Sequence, residues 1–304
     1  MLKKTPAIII LCLCLLPFSS FAETNYDLLK LIGPRYEKNN KNMFTLEFGT
    51  GLFFDSEESN ESIANPSINS KETTLLYNQL FMSYGIIDSI ACHFGAPFIY
   101  IKNENSTMSE KSTAGFGDLS AGVTYQKFSN TGAMMIGLTY YNPTGESPYK
   151  IDFYNDSPTG SGTHAINPEI AYFHFAGNVV IHGRFDIEYS LPATSLSQVR
   201  VGPEGQYSVL NSVEPGINIG INLGYAIKIT ESLSANLGLT YRQYSKNKYK
   251  WRNGTRTTGD QFNTTYLYAG TAITIGEYKC FPELSIGTTD DSYDFGFSIR
   301  FPLL

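Results

Sequence analysis

The chain has 304 residues, 42% of them apolar, 14% aromatic and 16% charged, a balance that can bury a large core and excludes disorder. With a formal charge of −6, nucleic acid is not an expected partner. After the first twenty or so residues nothing is long and apolar enough to cross a bilayer as a helix, while 27 Gly, 21 Tyr and 20 Phe beside a single Trp point to an all-β chain of many strands and turns.

Residues 1–22 read as a Sec signal peptide. Lys3 and Lys4 give a positive start, Ala7 to Leu16 is apolar, and Ser20, Phe21 and Ala22 form a small-x-small cleavage site before Glu23. Loss of the two lysines leaves 20 basic against 28 acidic residues, or −8. Cys12 and Cys14 fall inside the signal behind residues too bulky for a lipoprotein site. Cys92 and Cys280 remain, too few for a disulfide framework. Residues 23–42 carry a short apolar run, Tyr26 to Ile32, before Gly33 and Pro34; alone it is too short for a stable helix. It reads as a periplasmic tail or as a plug folded into a lumen.

From Met43 onward the period is two, in segments of about 10 to 13 residues, the length a tilted strand needs to cross an outer membrane. Strands are expected at 43–54, 73–85, 90–102, 118–126, 133–142, 164–175, 179–190, 212–228, 233–244, 262–275, 280–287 and 292–301. In the eighth, Val213, Ile217, Ile219, Ile221, Leu223, Tyr225 and Ile227 share one face, and Glu214, Gly216, Asn218, Gly220 and Asn222 the other. Between strands, long polar segments (55–72, 103–114, 143–163, 191–211, 245–261) alternate with tight turns near Asp88, Asn130, Gly177, Glu231 and Glu277. A soluble sandwich has no reason to sort its loops by parity. The pattern predicts a transmembrane antiparallel up-and-down β-barrel of about 12 strands in a bacterial outer membrane, spanning residues 43–304. The last strand, with Tyr293, Phe295, Phe297, Ile299 and Phe301 on one face, is similar to the C-terminal signal read by the outer-membrane assembly machinery, although Pro302, Leu303 and Leu304 follow it.

Particular motifs carry a family resemblance. Gly115-Phe116-Gly117-Asp118 opening a strand, Tyr140 to Gly145 ending in Pro-Thr-Gly, Gly160-Ser161-Gly162, and Pro168-Glu169-Ile170-Ala171-Tyr172 resemble the outer-membrane barrels named after the meta-cleavage pathway of phenol degradation, over about residues 80 to 260. The resemblance implies transport, with uptake of aromatic or other small organic compounds as the expected role. It carries over no substrate-binding residue.

Twelve strands about 4.8 Å apart, tilted by about 40°, give a backbone diameter of roughly 24 Å and a bore on the order of 12 Å, so side chains decide whether the lumen conducts. Expected inward charges are Glu47, His93, Asp118, Glu169, His182, Arg184, Asp186, Glu188, Glu214, Arg242, Glu283, Asp294 and Arg300. The densest run is His182, Arg184, Asp186 and Glu188 on one strand, with Glu169 and Glu214 on the neighbouring ones. It reads either as ion pairs that stiffen the wall or as a charged constriction selecting small-molecule solutes. The loop 143–163, with Pro143-Thr144-Gly145 and Pro158-Thr159-Gly160, is the candidate for folding inward. Lys246, Lys248, Lys250, Arg252 and Arg256 around Trp251 form either a solvated loop or a contact for lipopolysaccharide phosphates.

The competing readings are a closed outer-membrane barrel whose loops bind surface partners, and a lipid-modifying hydrolase. For the hydrolase, His164 beside Ser161 is the only pair at the right height, with no G-x-S-x-G elbow and no third partner. No enzyme activity, cofactor or metal is expected, and Asp290-Asp291 reads as a solvated turn.

Overall fold

A computed structural model describes residues 28–29, 32, 36, 40–61, 67–105, 108–149, 157–194, 196, 199–201 and 207–303. The expected signal peptide, residues 1–22, lies outside the described residues. In chain order the strands are β1 (Phe44–Glu61), β2 (Ser67–Ile87), β3 (Ile90–Asn105), β4 (Met108–Phe116), β5 (Leu119–Ser129), β6 (Gly132–Asn142), β7 (Ala165–Ala176), β8 (Val179–Ser190), β9 (Ala193–Thr194), β10 (Val199–Val201), β11 (Tyr207–Glu214), β12 (Ile217–Thr230), β13 (Leu233–Tyr244), β14 (Lys248–Trp251), β15 (Arg256–Thr258), β16 (Phe262–Ile275), β17 (Tyr278–Gly287) and β18 (Phe295–Pro302).

Twelve of these make a closed antiparallel wall, in the order β1, β2, β3, β5, β6, β7, β8, β12, β13, β16, β17, β18, with β4 continuing β5 upward against β3. The ring closes where Glu47 to Phe54 of β1 pair with Pro302 to Phe295 of β18. Closure is what hydrocarbon demands, since an open edge would leave backbone N–H and C=O groups without water or partner. Side chains alternate accordingly: on β8, Ile181, Phe185 and Tyr189 are exposed on the outer surface, while Val180, His182, Asp186 and Ser190 are buried inside.

The tight turns fall where the sequence predicts them, at 88–89, 130–131, 177–178, 231–232 and 276–277. Gly177 (φ 63°) and Gly276 (φ 62°) supply the left-handed conformation that two-residue hairpins need. At the opposite end two expected loops are strand instead. Residues 55–61 and 67–72 extend β1 and β2 in one continuous register, and β3 pairs with β4 through most of 103–114. Their polar composition reflects height above the membrane, not loss of β structure.

The expected strand 212–228 is broken at Pro215 and Gly216. β12 stays in the wall, whereas β11 joins a small outer sheet with β9, β10, β14 and β15. Val213, expected to face lipid, is fully buried there with Tyr149, Leu196, Leu210 and Trp251. Trp251 also donates its indole N–H to Thr257 Oγ1 at 2.9 Å, so the hairpin 248–258 is a packed element and not a free loop.

Inside the turn end of the barrel is an apolar core. Ala133 and Met135 of β6, Ala171, Phe173 and Phe175 of β7, Val180 of β8 and Ala226 of β12 point inward, and Leu28, Leu29, Ile32 and Tyr36 of the N-terminal segment pack against them. Leu29 is fully buried. Asn40, Lys41 and Asn42, which follow, are exposed at the turn end, where Asn42 N–H donates to the Gly85 carbonyl.

Candidate functional site

One group of the inward charges gathers on β7, β8 and β13, while Glu47, Glu283 and Arg300 stand on β1, β17 and β18. Arg184 Nε lies 3.1 Å from Glu169 Oε2, and Arg184 Nη2 lies 3.4 Å from Asp186 Oδ1. Arg242 Nη2 reaches Asp186 Oδ2 at 2.9 Å, with its Nη1 3.9 Å from Glu188 Oε2. Asn167 donates to Asp186 at 3.2 Å, and Asn218 to Glu188 at 2.8 Å. Asp186 is the hub: its side chain is 6% exposed, against 28 to 35% for the two arginines. Three carboxylates meet two guanidiniums, so the paired cluster still carries one negative charge.

A glycine makes the hub possible. Asp186 and Arg242 stand on β8 and β13 with β12 between them, and Gly220 is the ladder partner of both. A Cβ at Gly220 would stand 2.5 Å from Asp186 Oδ1, so only a residue without one lets the two side chains meet across the intervening strand. The same device recurs on β5, where His93 of β3 lies over Gly122 and reaches Thr139 Oγ1 of β6 at 3.1 Å. It recurs again on β12, where His182 and the Tyr268 hydroxyl converge over Gly224.

A run of rings continues round the wall from β16 to β1. β1 is the sixth strand from β8 in either direction round the ring, and its inward Phe53 packs on Tyr293 with centroids 4.7 Å apart. Tyr293 in turn stacks on Tyr266 at 4.2 Å, and its hydroxyl is 3.1 Å from Ser285 Oγ. Burial pushes the Tyr293 phenol up to about 12, which keeps it neutral. Tyr266 stands on β16, next to the strand of Arg242, so the rings run from beside the charged cluster round to β1, and Glu47, Glu283 and Arg300 stand on β1, β17 and β18 among the same strands.

The loop 143–163 folds against the inner surface near the open end. Asn103 of β3 donates to Ser157 Oγ at 2.6 Å, and the Ser157 N–H donates to Thr113 Oγ1 of β4 at 3.2 Å. The two Pro-Thr-Gly copies serve as its anchors. Thr144 Oγ1 accepts from Leu119 N–H and donates to the Gly117 carbonyl, both at 2.9 Å, bridging the break between β4 and β5. Thr159 Oγ1 donates to the Phe116 carbonyl and accepts from Glu146 N–H, again at 2.9 Å. Gly145 and Gly160 pass so close that a Cβ on Gly145 would lie 2.7 Å from Gly160 Cα. Pro143 and Pro158 open the two copies, and residues 150–156 lie outside the described residues.

Several expected placements need correction. Glu214 is exposed on β11, opposite Lys248 in the outer sheet, and takes no part in the Arg184 cluster. Asp294 precedes β18 and accepts from Ser56 N–H and Oγ at 3.0 and 2.6 Å instead of facing the bore. Asp118 spends both carboxylate oxygens on the loop, accepting from Gly145 N–H at 3.1 Å and Ser161 N–H at 2.7 Å. Tyr293, expected outside, turns in. His182 lies apart from the ion pairs, buried and stacked on Phe173 at 6.2 Å. Ser161 and His164 do not form a pair: Ser161 Oγ donates to the Thr163 carbonyl, and His164 Nδ1 lies 2.6 Å from the Tyr140 hydroxyl. Among the described residues no three His, Cys, Asp or Glu side chains converge as metal ligands. Cys92 and Cys280 are free thiols.

The sequence reading missed the aromatic wall, because the inward turn of Tyr293 is invisible to alternation, and it missed Asn167 and Asn218 as partners of the cluster. Their inward parity beside Asp186 and Glu188 was the available signal.

Residues 42–276 match the model of the family described as "Putative MetA-pathway of phenol degradation". Among solved structures, an outer membrane channel from Pseudomonas putida F1 is similar at 15% identity and TM-score 0.67, over 88% of this chain and 97% of that one. The TodX monoaromatic hydrocarbon channel (10% identity, TM-score 0.48, 86% and 90% covered) and the transport unit of the autotransporter AIDA-I from Escherichia coli (10%, 0.48, 86% and 89%) are more distant. The likeness to the Pseudomonas protein is one of fold, and with the closed wall and its apolar outer surface it makes this chain a bacterial outer-membrane β-barrel.

Proposed function

Because the chain belongs to this phenol-degradation family of outer-membrane barrels, we propose that it is an uptake pore for small organic solutes, aromatic compounds foremost. One observation carries the reading: the Glu169–Arg184–Asp186–Arg242–Glu188 cluster and the stacked rings of Phe53, Tyr293 and Tyr266 share the lumen, with Tyr266 on the strand next to that of Arg242. A solute with a ring and a polar group finds a partner for each, and the fixed charges orient it without a conformational cost. The loop anchored by Thr144 and Thr159 narrows the outer mouth, and the N-terminal segment narrows the inner one. Catalysis has no part in this reading, since Ser161 is engaged with Thr163 and His164 with Tyr140.

The partners follow from the surfaces. Outer-membrane lipid covers the apolar outer face, and β18, with Phe295, Phe297, Ile299 and Phe301, is the strand the assembly machinery would read. Lys246, Lys248, Lys250, Arg252 and Arg256 are all exposed, which suits lipopolysaccharide phosphates. That cationic outer sheet also favours a second reading, a closed barrel that binds partners through its loops. Reconstitution of the refolded chain in planar bilayers separates the two. Single-channel steps support the pore, and silence from protein shown to be folded supports the closed barrel.

A further inference from the structure

The hairpin of β14 and β15 sorts its residues by face. Tyr249 and Trp251 turn toward Tyr149, Leu210 and Val213 in the packed core of the outer sheet, and Lys248, Lys250 and Arg256 are exposed on the other face. Because Tyr149 belongs to the loop folded against the inner surface, the packed face looks toward the barrel axis and the cationic face away from it. The hairpin starts just beyond the lipid band. Ser245 N–H donates to the Ile217 carbonyl at 3.3 Å, and Ile217 and its ladder partner Tyr189 are exposed apolar residues at that end of β12 and β8.

Register divides the exposed face into two rows. In one, Lys248 stands between Glu214 of β11 and Thr258 of β15, so its charge has a carboxylate opposite. In the other, Lys250 stands between Ser212 of β11 and Arg256 of β15. Like charges directly opposite on an antiparallel pair, with Cβ atoms about 5 Å apart, repel each other. Among the described residues neither Lys250 nor Arg256 has an ion-pair partner. This row therefore brings together two cations and a hydroxyl, and lacks an anion.

We propose that the Ser212–Lys250–Arg256 row is a phosphate site, and that its occupant is a phosphate of outer-leaflet lipopolysaccharide. A phosphate monoester offsets the repulsion, takes a two-pronged contact from the guanidinium and a point charge from the ammonium, and accepts from the Ser212 hydroxyl. Location favours the glycolipid over a free phosphate. The row faces away from the mouth at the edge of the apolar band, so a phosphate held there leaves its acyl chains beside Tyr189 and Ile217, a contact that inorganic phosphate cannot make. The assignment rests on the lipopolysaccharide reading of the outer sheet and holds whether or not the bore conducts.

Binding of diphosphoryl lipid A, carried in neutral-detergent micelles, to the immobilised refolded full chain tests it, with heat-dependent mobility on SDS gels certifying each variant as folded. The double variant Lys250→Gln, Arg256→Gln should bind about tenfold more weakly than wild type. The double variant Lys246→Gln, Lys248→Gln removes the same charge from the same hairpin and should lose less than about twofold. Lipid A stripped of its phosphates should bind wild type and the first double variant alike, and inorganic phosphate should displace lipid A only in large excess. Equal losses in the two double variants would overturn the row as a site. Displacement by inorganic phosphate at a concentration equal to that of lipid A would overturn the glycolipid as its occupant. No phosphate-dependent binding by wild type would overturn the lipopolysaccharide reading of the whole sheet, and the row with it.

Discussion

Replacing Gly220 by alanine puts the charged hub to a quantitative test. The new Cβ would stand 2.5 Å from Asp186 Oδ1 and 2.8 Å from its Cγ. β12 cannot retreat, because its ladders to β8 and β13 run without interruption on either side of Gly220. Asp186 must rotate, giving up Arg242 at 2.9 Å and Asn167 at 3.2 Å. A nearly buried acceptor left without its partners costs about 1–3 kcal/mol, offset by roughly 0.5–1 kcal/mol from removing glycine's excess freedom in the unfolded chain. Gly49→Ala is the control: it also lies in a wall strand, and its Cβ would meet nothing closer than Arg300 Cγ at 3.4 Å, an ordinary contact. Urea titration in lipid vesicles, followed by band shift on unheated SDS gels, should therefore rank Gly220→Ala below Gly49→Ala by about 1–3 kcal/mol. In an Asp186→Ala background the difference should vanish. Equal stability of the two glycine variants in the wild-type background would refute the bridge across β12.

Asp118→Ala removes the acceptor for both Gly145 and Ser161 and should free the inner loop, seen as faster proteolytic cleavage within 143–163 on intact cells at an unchanged unfolding midpoint. Cys92 and Cys280 stand on β3 and β17, four strands apart round the wall, and both should take up a maleimide under non-reducing denaturation, with no 92–280 linkage by mass spectrometry. Trp251→Ala should release the hairpin 248–258 from Tyr149, Leu210 and Val213, raising its hydrogen exchange while leaving the barrel resistant to SDS at room temperature.

Alternation is a local signal, and it made the wall legible. β5 to β8 and β13, β16 need only one buried and one lipid-facing side, so parity put Arg184, Asp186 and Glu188 on one face, the face on which they pair with Glu169 and Arg242. Parity fails wherever the chain leaves the wall. Gly117 and Asp118 interrupt β4 and β5, and Pro215 and Gly216 interrupt β11 and β12, so Glu214 kept its phase on paper while moving to another sheet. Leu210, Val213 and Trp251 look like scattered apolar residues until the outer sheet brings them together. The glycine crossings were out of reach for another reason. Nothing within β12 tells that Gly220 is flanked by Asp186 and Arg242, because that is a property of register across three strands. Residues 23–42 read equally as a tail or a plug, because a short apolar run specifies burial and not where it is buried.

The central claim is that the charged cluster lines a path for small solutes. Reversal potential across a planar bilayer in a salt gradient, for wild type and Arg242→Gln, tests it most directly. Arg242 is chosen because it pairs with Asp186 and Glu188, whereas the hydrogen bond to Ile32 of the N-terminal segment runs through Arg300. Its loss leaves three carboxylates facing one guanidinium, so the cluster's net charge goes from −1 to −2. The account predicts a clear shift of the reversal potential toward cation preference. Open channels of both proteins with the same reversal potential would contradict it.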